Sequence, residues 1–429
     1  MKKRVLVFPC GSVVGVEINF ALRNALTVEV FGASSIDDHG IYVYKNYIKD
    51  LPNISEENFI YEFNKVIKSN NIDFVIPTHD SIALFLVENG EKILAKIICS
   101  SLETTKLCRY KSLAYDKFKN YNFVPKIYKT INEVHSFPVF LKPNNGQGSQ
   151  GTHMVNSKNE LEFYMSNNSK LIICEYLPGE EITIDCFTDR KSNLRFMCAR
   201  TREKTLSGVS VNSRKINTEN EIYEIANIIN KELEFRGHWF FQLKKDKNQK
   251  YKLLEISTRL AGTSCLSRNL DVNFSLLSIL DFSDEDIDIS PNNYNIEVDR
   301  TLINRYKLDI EYERVYIDFD DTLMFNEKYY NQYMFMFLYQ CINNNKQIIL
   351  ITKHEDNIHE TLKNLKIPDK LFDEIIEVGP CDFKYKYMNN IKKSIFIDNS
   401  FAERKIVREK LNIPSFDVSN IECLIDWRG

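Results

Sequence analysis

The sequence predicts an α/β protein in which a parallel sheet lies at each end of the chain and an α+β domain lies between them. Near the N-terminus, the apolar runs 4–8 and 73–77 alternate with helix-like sequence, which is typical of an open parallel sheet. Near the C-terminus, three apolar runs end in polar residues, within 315–323, 348–352 and 394–398. A chain of 429 residues with 43% hydrophobic content is long enough for two or three domains.

Composition excludes several classes of protein. The chain has 56 basic and 59 acidic residues, so its net charge of −3 provides no general positive field for nucleic acid. The ten cysteines form no CxxC pair and no cluster at zinc spacing, which predicts a reduced, cytoplasmic chain. No apolar stretch reaches the roughly 18–20 residues of a membrane span. Pro9, Gly11 and Glu17 interrupt the first apolar run, so a strand explains it better than a signal peptide.

Two turns in the N-terminal segment are candidates for ligand contact. The loop from Gly11 to Gly15 follows the first strand, but its GxxxG spacing is weak support for nucleotide binding. The second strand is followed by Thr78, His79 and Asp80. Ligands of open parallel sheets bind beyond the carboxyl ends of the strands, which places His79 and Asp80 in a substrate position. Capping of the next helix by Thr78 or Asp80 explains the same residues and is the favoured interpretation.

The segment 138–155 has the pattern of a phosphate-binding loop between two strands. Lys142 lies on the first strand and supplies a positive charge. The loop that follows is rich in small residues, at Gly146, Gly148, Ser149 and Gly151. Glycines allow backbone N–H groups to approach phosphate closely. A flexible hairpin is the alternative explanation of this segment taken alone.

Two strands further on carry polar side chains suited to metal and phosphate. They follow a predicted helix at 222–233 whose apolar residues recur at helical spacing. The first strand supplies Gln242, and the second places Glu255, Ser257 and Arg259 on one face. Gln242 and Glu255 would offer Mg²⁺ the oxygen ligands it prefers, and Arg259 could clamp a phosphoryl group in transfer.

The order of these segments resembles the ATP-grasp superfamily, most closely the synthetase domains of the carbamoyl phosphate synthetase large subunit, over about residues 1–280. The resemblance implies ATP as substrate, with Mg²⁺ or in its place Mn²⁺. It implies an ATP site formed by Lys111, Lys142, Gly146, Gly148, Ser149, Gly151, Glu175, Tyr176, Leu177 and Glu181. The two lysines contact phosphates, residues 175–177 form the adenine hinge, and Glu181 holds the ribose.

The same resemblance implies the metal and catalytic residues. Metal ligation is implied for Gln242, Glu255 and Ser257, and Arg259 is implied to face the γ-phosphate. Two positions depart from the family pattern. Ser257 stands where the family usually has Asn, and Tyr110 stands before Lys111 where the family has Asp. A hydroxyl is a poorer metal ligand than an amide oxygen, so Ser257 bears directly on one of the two metal sites.

The run VYIDFDDTL at 315–323 is the most informative motif of the C-terminal segment. Alternation along a strand points Asp318 and Asp320 the same way, about 6–7 Å apart. Two carboxylates at the end of a buried strand are costly to desolvate, and a bound Mg²⁺ would remove that cost. A solvated, Asp-rich strand end is the alternative for this motif taken alone.

With the strand ends at Thr352 and Asp398 and with Lys384 upstream of the latter, this motif resembles the haloacid dehalogenase (HAD) superfamily of phosphatases. The resemblance covers about residues 313–429. It implies that Asp318 is the nucleophile and Asp320 the general acid and base. It implies that Thr352 and Lys384, preferred to Lys386, hold the phosphate. Mg²⁺ is implied to bind Asp318, Asp320 and Asp398.

These resemblances divide the chain into four segments. An α/β domain at 1–105 precedes an ATP-grasp domain at 106–282. Residues 283–312, acidic and then rich in Pro and Asn, are predicted to be a linker. A Rossmann-like HAD domain at 313–429 follows, and the short spacing of its motifs leaves no room for a large cap.

The predicted function is a bifunctional enzyme: an ATP-dependent carboxylate–amine ligase, acting through an acyl phosphate and releasing ADP, fused to a Mg²⁺-dependent phosphatase. No glutaminase-like segment is present, so the amine is expected to be a free small molecule. Arg200, Arg202 and Arg214 are candidate partners of the substrate carboxylate. The alternatives are an ATP-grasp kinase or synthetase without amide formation, and a chain in which one half only binds or regulates. A small-molecule carboxylate, an amine and a phosphate ester are the expected partners, without nucleic acid or membrane, and homo-oligomer formation is left open.

Overall fold

The computed structural model describes residues 2–428 except 147, 149, 207, 307 and 327. The chain forms two compact units, the first ending at Leu302 and the second covering Ile303–Arg428. In the part of the chain that the structure describes, no helix has both the length and the apolar character to cross a membrane.

The first unit begins with a parallel sheet of five strands in the order β3-β2-β1-β4-β5. Its elements, with the two helices that follow it, are β1 (Lys3–Phe8), α1 (Val13–Leu22), β2 (Val28–Ala33), β3 (Asn46–Ile48), α2 (Phe59–Asn70), β4 (Phe74–Pro77), α3 (Asp80–Glu88), β5 (Lys96–Ile97), α4 (Leu102–Arg109) and α5 (Lys111–Lys117). Val5, Leu6 and Val7 are fully buried because helices cover both faces of a parallel sheet. The predicted open parallel sheet is confirmed.

The rest of the first unit consists mainly of antiparallel sheets. Its elements are β6 (Ile127–Tyr128), β7 (Val139–Pro143), β8 (His153–Val155), α6 (Lys158–Asn167), β9 (Leu171–Glu175), β10 (Glu181–Thr188), β11 (Leu194–Thr201), β12 (Lys204–Leu206), β13 (Val209–Arg214), α7 (Asn220–Glu232), β14 (Gly237–Lys245), β15 (Tyr251–Ser257), α8 (Cys265–Asn269), α9 (Phe274–Phe282) and β16 (Glu297–Asp299). One sheet has the order β6-β9-β7-β8, the second β11-β10-β14-β15 and the third β12-β13-β16. Helix α7 buries Ile222, Ile225, Ala226 and Ile229, the face that the periodicity predicts.

The predicted linker contributes to the first unit. Strand β16 pairs with β13, with Asn212 opposite Asp299. Upstream, Asp286 contacts Arg190 at 2.9 Å and Asp284 contacts Arg236 at 3.3 Å. The acidic run therefore has basic partners on the domain before it, and the boundary between the two units lies after β16.

The second unit contains a parallel sheet in the order β21-β20-β17-β22-β23 and a small hairpin. Its elements are β17 (Arg314–Ile317), β18 (Met324–Phe325), β19 (Tyr329–Tyr330), α10 (Gln332–Asn343), β20 (Gln347–Thr352), α11 (Ile358–Asn364), β21 (Glu374–Glu377), β22 (Ser394–Ile397), α12 (Phe401–Leu411) and β23 (Ser415–Phe416). Because β17 lies between β20 and β22, the three polar strand ends predicted from the sequence meet at one edge of the sheet.

Candidate active sites

The pairing of strands β10, β11, β14 and β15 builds one polar face in the first unit. Thr183 lies opposite both Arg200 and Gln242, and Gln242 lies opposite Glu255. Glu181 is two residues before Thr183 and therefore points to the same side. A cavity of about 490 Å³ lies on this face and is also lined by the loop after β7 and by residues at the carboxyl ends of β1 and β4.

Most of the predicted ATP-site residues line this cavity. They are Lys111, Lys142, Gly146, Gly148, Glu175, Tyr176, Leu177, Glu181, Gln242, Glu255 and Arg259. Gly151 and Ser257 are described but are not among the lining residues. Ser149 lies outside the residues that the structure describes. Residues as far apart in sequence as Lys111 and Arg259 thus line one cavity.

Lys111 and Lys142 place two buried ammonium groups on the cavity wall. The Nζ of Lys142 donates to the Tyr115 hydroxyl at 2.5 Å and to the Leu254 carbonyl at 3.3 Å. The Nζ of Lys111 donates to the Gly146 carbonyl at 2.9 Å and lies 3.6 Å from Glu255 Oε2. Burial lowers the pKa of Lys111, although Glu255 opposes the shift. Because most of these partners are neutral oxygens, positive charge remains to attract a phosphate.

Gln242 and Glu255 form a polar pair that Arg202 extends. With its amide nitrogen toward Glu255, Gln242 donates to Oε1 at 3.2 Å, and its oxygen accepts from Arg202 Nη1 at 3.0 Å. Arg202 Nε lies 2.7 Å from Glu181 Oε1. Arg202 therefore connects the residue implied for the ribose with one implied for the metal. The sequence offered no signal for this pairing.

The three arginines proposed as carboxylate partners are all engaged within the protein. Arg200 is fully buried and makes a bidentate pair with Asp185, at 2.7 and 3.1 Å. Arg214 is more than half exposed, pairs with Glu203 at 2.5 Å and is not among the lining residues. Arg202 is held by Glu181. Arg200 and Arg202 nevertheless line the cavity. The acidic partner of each arginine comes from the folded chain and could not be identified from the sequence.

The residues that follow β1 and β4 have partners that differ from those predicted from the sequence. The amide of Gly11 donates to Asp38 Oδ2 at 3.1 Å, and a Cβ at Gly11 would overlap that carboxyl group. An internal carboxylate thus occupies the GxxxG turn. The favoured helix cap is wrong, because the Thr78 hydroxyl donates to the Pro9 carbonyl and the Asp80 carboxylate contacts Arg259 at 2.9 Å.

Two glycines bring separate loops into contact at the cavity. Gly208, in the turn between β12 and β13, has a φ of +75°, and a Cβ there would lie 2.1 Å from the Gly148 carbonyl carbon. Arg202 Nη2 donates to the Gly208 carbonyl at 3.0 Å. The turn can therefore approach the glycine-rich loop this closely because Gly208 lacks a side chain.

We expect Gly208→Ala to raise the KM for ATP by roughly tenfold. The added Cβ forces the two loops apart, so the glycine-rich loop can no longer make its proposed contacts with the phosphates. Steady-state ADP release measures the change. Gly237→Ala is the matched control, since Gly237 has a similar φ of +78° but a Cβ there meets Ser278 rather than the loop. Equal effects of the two substitutions on KM would contradict the role of the loop contact.

In the second unit, Lys384 bridges two of the predicted strand-end carboxylates. Its Nζ donates to Asp318 Oδ1 at 2.5 Å and to Asp398 Oδ2 at 2.6 Å. Burial and the neighbouring Asp398 raise the pKa of Asp318 to about 7, and burial raises the pKa of Asp398. Lys386 instead pairs with the partly exposed Asp382. Lys384 is therefore the lysine in the cluster.

Asp320 and Thr352 lie near this cluster with partners that the sequence did not indicate. Asp320 is 44% exposed and contacts His354 Nδ1 at 2.9 Å, while His354 Nε2 lies 3.0 Å from the Thr361 hydroxyl. Thr352 is fully buried, and its hydroxyl accepts from the His354 amide at 3.1 Å. His354, two residues beyond a polar strand end, was the available signal.

Two further residues complete the second cluster. The Thr322 hydroxyl donates to Asp318 Oδ2 at 3.3 Å and accepts from the Asn399 amide at 3.2 Å. Buried Glu403 accepts from the Lys384 amide at 3.2 Å and pairs with Lys353 at 2.6 Å. Thr322 belongs to the DxDxT motif and could have been singled out. Among the described residues no group of three or more His, Cys, Asp or Glu side chains is arranged to hold a metal ion, and this includes the predicted set of Asp318, Asp320 and Asp398.

Comparisons with known proteins concern the ATP-grasp fold. Residues 167–302 match the family described as ATP-grasp in the biosynthetic pathway with Ter operon. A D-alanine–D-alanine ligase from Fusobacterium nucleatum is 38% identical over 60 residues, which cover 14% of this chain and 21% of that ligase. The chain thus spans about a fifth of the length of this curated relative.

Two solved structures share the fold at low identity. Biotin carboxylase from Campylobacter jejuni, solved with β,γ-ATP, superposes with a TM-score of 0.56 and 16% identity, covering 67% of this chain and 72% of that one. L-amino acid ligase from Bacillus licheniformis superposes with a TM-score of 0.52 and 16% identity, covering 65% and 73%. These likenesses and the family match support an ATP-grasp fold within the first unit.

Proposed function

We propose that the chain is a bifunctional enzyme in which an ATP-dependent carboxylate–amine ligase is fused to a Mg²⁺-dependent phosphatase. The observation that carries the ligase is the 490 Å³ cavity, where two lysine ammonium groups lie beside the Gln242–Glu255 pair, with Lys111 Nζ 3.6 Å from Glu255 Oε2. Cationic groups and hard oxygen ligands side by side in one cavity fit a nucleotide triphosphate with its metal.

The roles of the cavity residues follow from their position. Residues 175–177 are proposed to hold the adenine, because they span the end of β9 and line the cavity. Glu181 is proposed to hold the ribose hydroxyls, in exchange for part of its contact with Arg202. The loop with Gly146, Gly148, Ser149 and Gly151 is proposed to cover the phosphates through its backbone N–H groups.

The residues present fit a Mg²⁺ ion. Gln242 and Glu255 are neighbours across two strands, and their amide and carboxylate oxygens are the hard ligands that Mg²⁺ takes together with substrate phosphates. Rotation of the Gln242 amide by half a turn directs its oxygen toward Glu255. A metal held there supplies neutralisation of the phosphate charge, and Lys111 and Lys142 add to it.

The proposed reaction has two steps. An oxygen of the substrate carboxylate attacks the γ-phosphorus of ATP, and the bond to ADP breaks. The amine then attacks the acyl carbon, and inorganic phosphate leaves as the amide forms. Arg259 is proposed to contact the transferring group, because it lines the cavity two residues after the end of β15, the strand that carries Glu255. The ligase names of two similar proteins support amide formation over a kinase reaction.

A screen of ADP release tests the ligase. Amino acids and other small carboxylic acids are crossed with free amines, and the product is identified by its mass. We expect ADP release to depend on both an acid and an amine. Release that depends on one substrate alone, with a phosphorylated product, would support the alternative of a kinase or synthetase without amide formation.

The phosphatase is proposed for the second unit, which is interpreted as a HAD-type domain. The Asp318 carboxylate attacks phosphorus while Asp320 protonates the leaving oxygen. Water then attacks the acyl phosphate, with Asp320 accepting its proton, and phosphate leaves. Thr352 and Lys384 are proposed to hold the phosphate. The buried cluster of Asp318, Lys384 and Asp398 supports this assignment, because two carboxylates and a lysine at the carboxyl edge of a parallel sheet suit Mg²⁺ and phosphate.

The carboxylates of the second unit fit Mg²⁺ by their chemistry. Asp318, Asp320 and Asp398 carry hard oxygen ligands at adjacent strand ends, and the metal would supply charge neutralisation for them and for a phosphate. His354 would hold Asp320 in place. The alternative, a binding or regulatory module without turnover, uses the same residues to retain a phosphate without cleaving it.

A further inference from the structure

We propose that Asp80 is a positioning residue for Arg259, and that Ser257 belongs to this clamp and is not a metal ligand. The clamp is defined here as Asp80, Ser257 and Arg259. The inference rests on the proposed ATP-grasp ligase and adds to it a residue from the N-terminal parallel-sheet part of the first unit.

The clamp is built from direct contacts between residues far apart in sequence. Asp80 Oδ2 lies 2.9 Å from Arg259 Nε, and Asp80 Oδ1 accepts from the Ser257 hydroxyl at 2.5 Å. The Arg259 amide donates to the same hydroxyl at 3.4 Å. One carboxylate therefore fixes the arginine head group and the strand residue two positions before it.

Further contacts define the direction of the Arg259 guanidinium. Its Nη1 donates to the Leu260 carbonyl at 3.0 Å, and its Cζ lies 5.3 Å from the centre of the Phe240 ring. With Nε on Asp80 and Nη1 on Leu260, Nη2 is the nitrogen that these contacts do not use. An arginine whose orientation is set in advance loses less entropy when it binds a phosphoryl oxygen.

Because both side chains are largely buried, desolvation makes the Asp80–Arg259 ion pair a poor way to stabilise the fold. The side chains of Asp80 and Arg259 are 17% and 16% exposed. Burial raises the pKa of Asp80, but the Arg259 charge and the Ser257 hydroxyl more than compensate and bring it below the ordinary value, so the carboxylate stays ionised. A partly buried ion pair contributes little net stability. Its position at a cavity that Arg259 lines favours a role in orienting the arginine.

The clamp also explains the departure from the family pattern at Ser257. The hydroxyl donates its one proton to Asp80, and Ser257 is not among the cavity-lining residues described. A longer amide side chain would have to displace the Asp80 carboxylate. A metal at this site would then be held by Gln242 and Glu255 together with phosphate oxygens, without Ser257.

The clamp connects the nucleotide site to the start of α3. Asp80 is the first residue of that helix, and His79 immediately before it lines the cavity. Burial, with help from Arg259, lowers the pKa of His79, so the imidazole is neutral at pH 7. The turn that places His79 at the cavity wall thus also carries the carboxylate that holds Arg259.

The test measures ADP release by the full chain with an acid and amine pair that supports turnover. We expect Asp80→Asn to lower kcat by roughly tenfold to a hundredfold, the cost of a misplaced catalytic group. The KM for ATP and the Mg²⁺ concentration at half-maximal rate should change less than twofold. In an Arg259→Lys background, Asp80→Asn should cost almost nothing further, because the group it positions is already altered.

Asp281→Asn is the matched control for the loss of a buried pair. Asp281 is 1% exposed and contacts Arg236 Nε at 2.7 Å, and neither residue is among those that line the cavity. It should lower the thermal midpoint with kcat unchanged. Ser257→Ala should reduce kcat without shifting the Mg²⁺ dependence.

Three results would overturn the clamp. They are an unchanged kcat in Asp80→Asn, a full additional loss in the double variant, and a shifted Mg²⁺ dependence in Ser257→Ala. If wild type releases no ADP with any acid and amine, the proposed ligase fails and the clamp fails with it. ADP release by wild type that is unaltered in Asp80→Asn defeats the clamp alone.

Discussion

Replacing Lys142 by alanine is expected to lower ATP-dependent turnover by roughly a hundredfold or more, the loss typical of one preorganised group that stabilises the transition state. Lys142 is buried, and the Tyr115 hydroxyl and Leu254 carbonyl fix its ammonium group on the cavity wall. The measurement is steady-state ADP release at saturating ATP. Phosphatase activity should be nearly unchanged.

Glu255→Gln tests the carboxylate beside the lysines in the same cavity and should cause a comparable loss, because it removes the charge of a proposed metal ligand. Lys119→Ala is the control for lost positive charge, since Lys119 is 64% exposed and pairs only locally with Asp116. Full activity in Lys142→Ala or Glu255→Gln would contradict the assignment of this cavity as the ATP site.

Asp318→Asn is expected to abolish phosphate release from phosphate esters, because the amide keeps the shape of the side chain but cannot act as the nucleophile. The fold should survive. The pKa of Asp318 lies near 7 in the folded protein, above its ordinary value, so the stability linked to its protonated form is lost as pH rises toward 7. A neutral Asn avoids that loss, and the thermal midpoint at pH 8 should not fall.

Companion substitutions separate the steps of the phosphatase. Asp320→Asn should slow both proposed steps, because it removes the group proposed as proton donor and base. Asp382→Asn is the control, since Asp382 pairs with Lys386 outside the cluster. Fluoroberyllate, a mimic of phosphorylated aspartate, should raise the thermal midpoint of wild type only with Mg²⁺. Hydrolysis by Asp318→Asn at the wild-type rate would exclude this mechanism. If wild type neither hydrolyses phosphate esters nor binds fluoroberyllate, the second unit is better interpreted as a binding module.

Local patterns were sufficient to predict the sheets and several helices. The apolar spacing at 222–233 gave the buried face of α7, and the runs at 4–8 and 73–77 gave two neighbouring strands of the parallel sheet. The strand ends at Asp318 and Asp398 were predicted to converge, and both contact Lys384. These features depend on periodicity and on the geometry of parallel strands, which short segments record.

Contacts between distant residues could not be predicted in the same way. The sequence did not reveal that Arg200, which lines the cavity, pairs with Asp185. Asp80 was interpreted as a helix cap, but it contacts Arg259, 179 residues further on. Strand β16 was assigned to a linker because its acidic and polar composition resembles a loop. In the structure it pairs with β13. In each case the deciding partner came from tertiary structure.

The central claim is that the first unit activates a carboxylate by phosphorylation, and the most direct measurement follows an isotopic label. An acid carrying ¹⁸O in its carboxyl group is incubated with ATP, Mg²⁺ and the amine, using the Asp318→Asn variant so that the phosphatase is silent. The account predicts that one ¹⁸O atom appears in each inorganic phosphate released and that the amide retains the other. Inorganic phosphate that carries no ¹⁸O would contradict it. So would a phosphorylated product that keeps both ¹⁸O atoms in its carboxyl group and forms no amide.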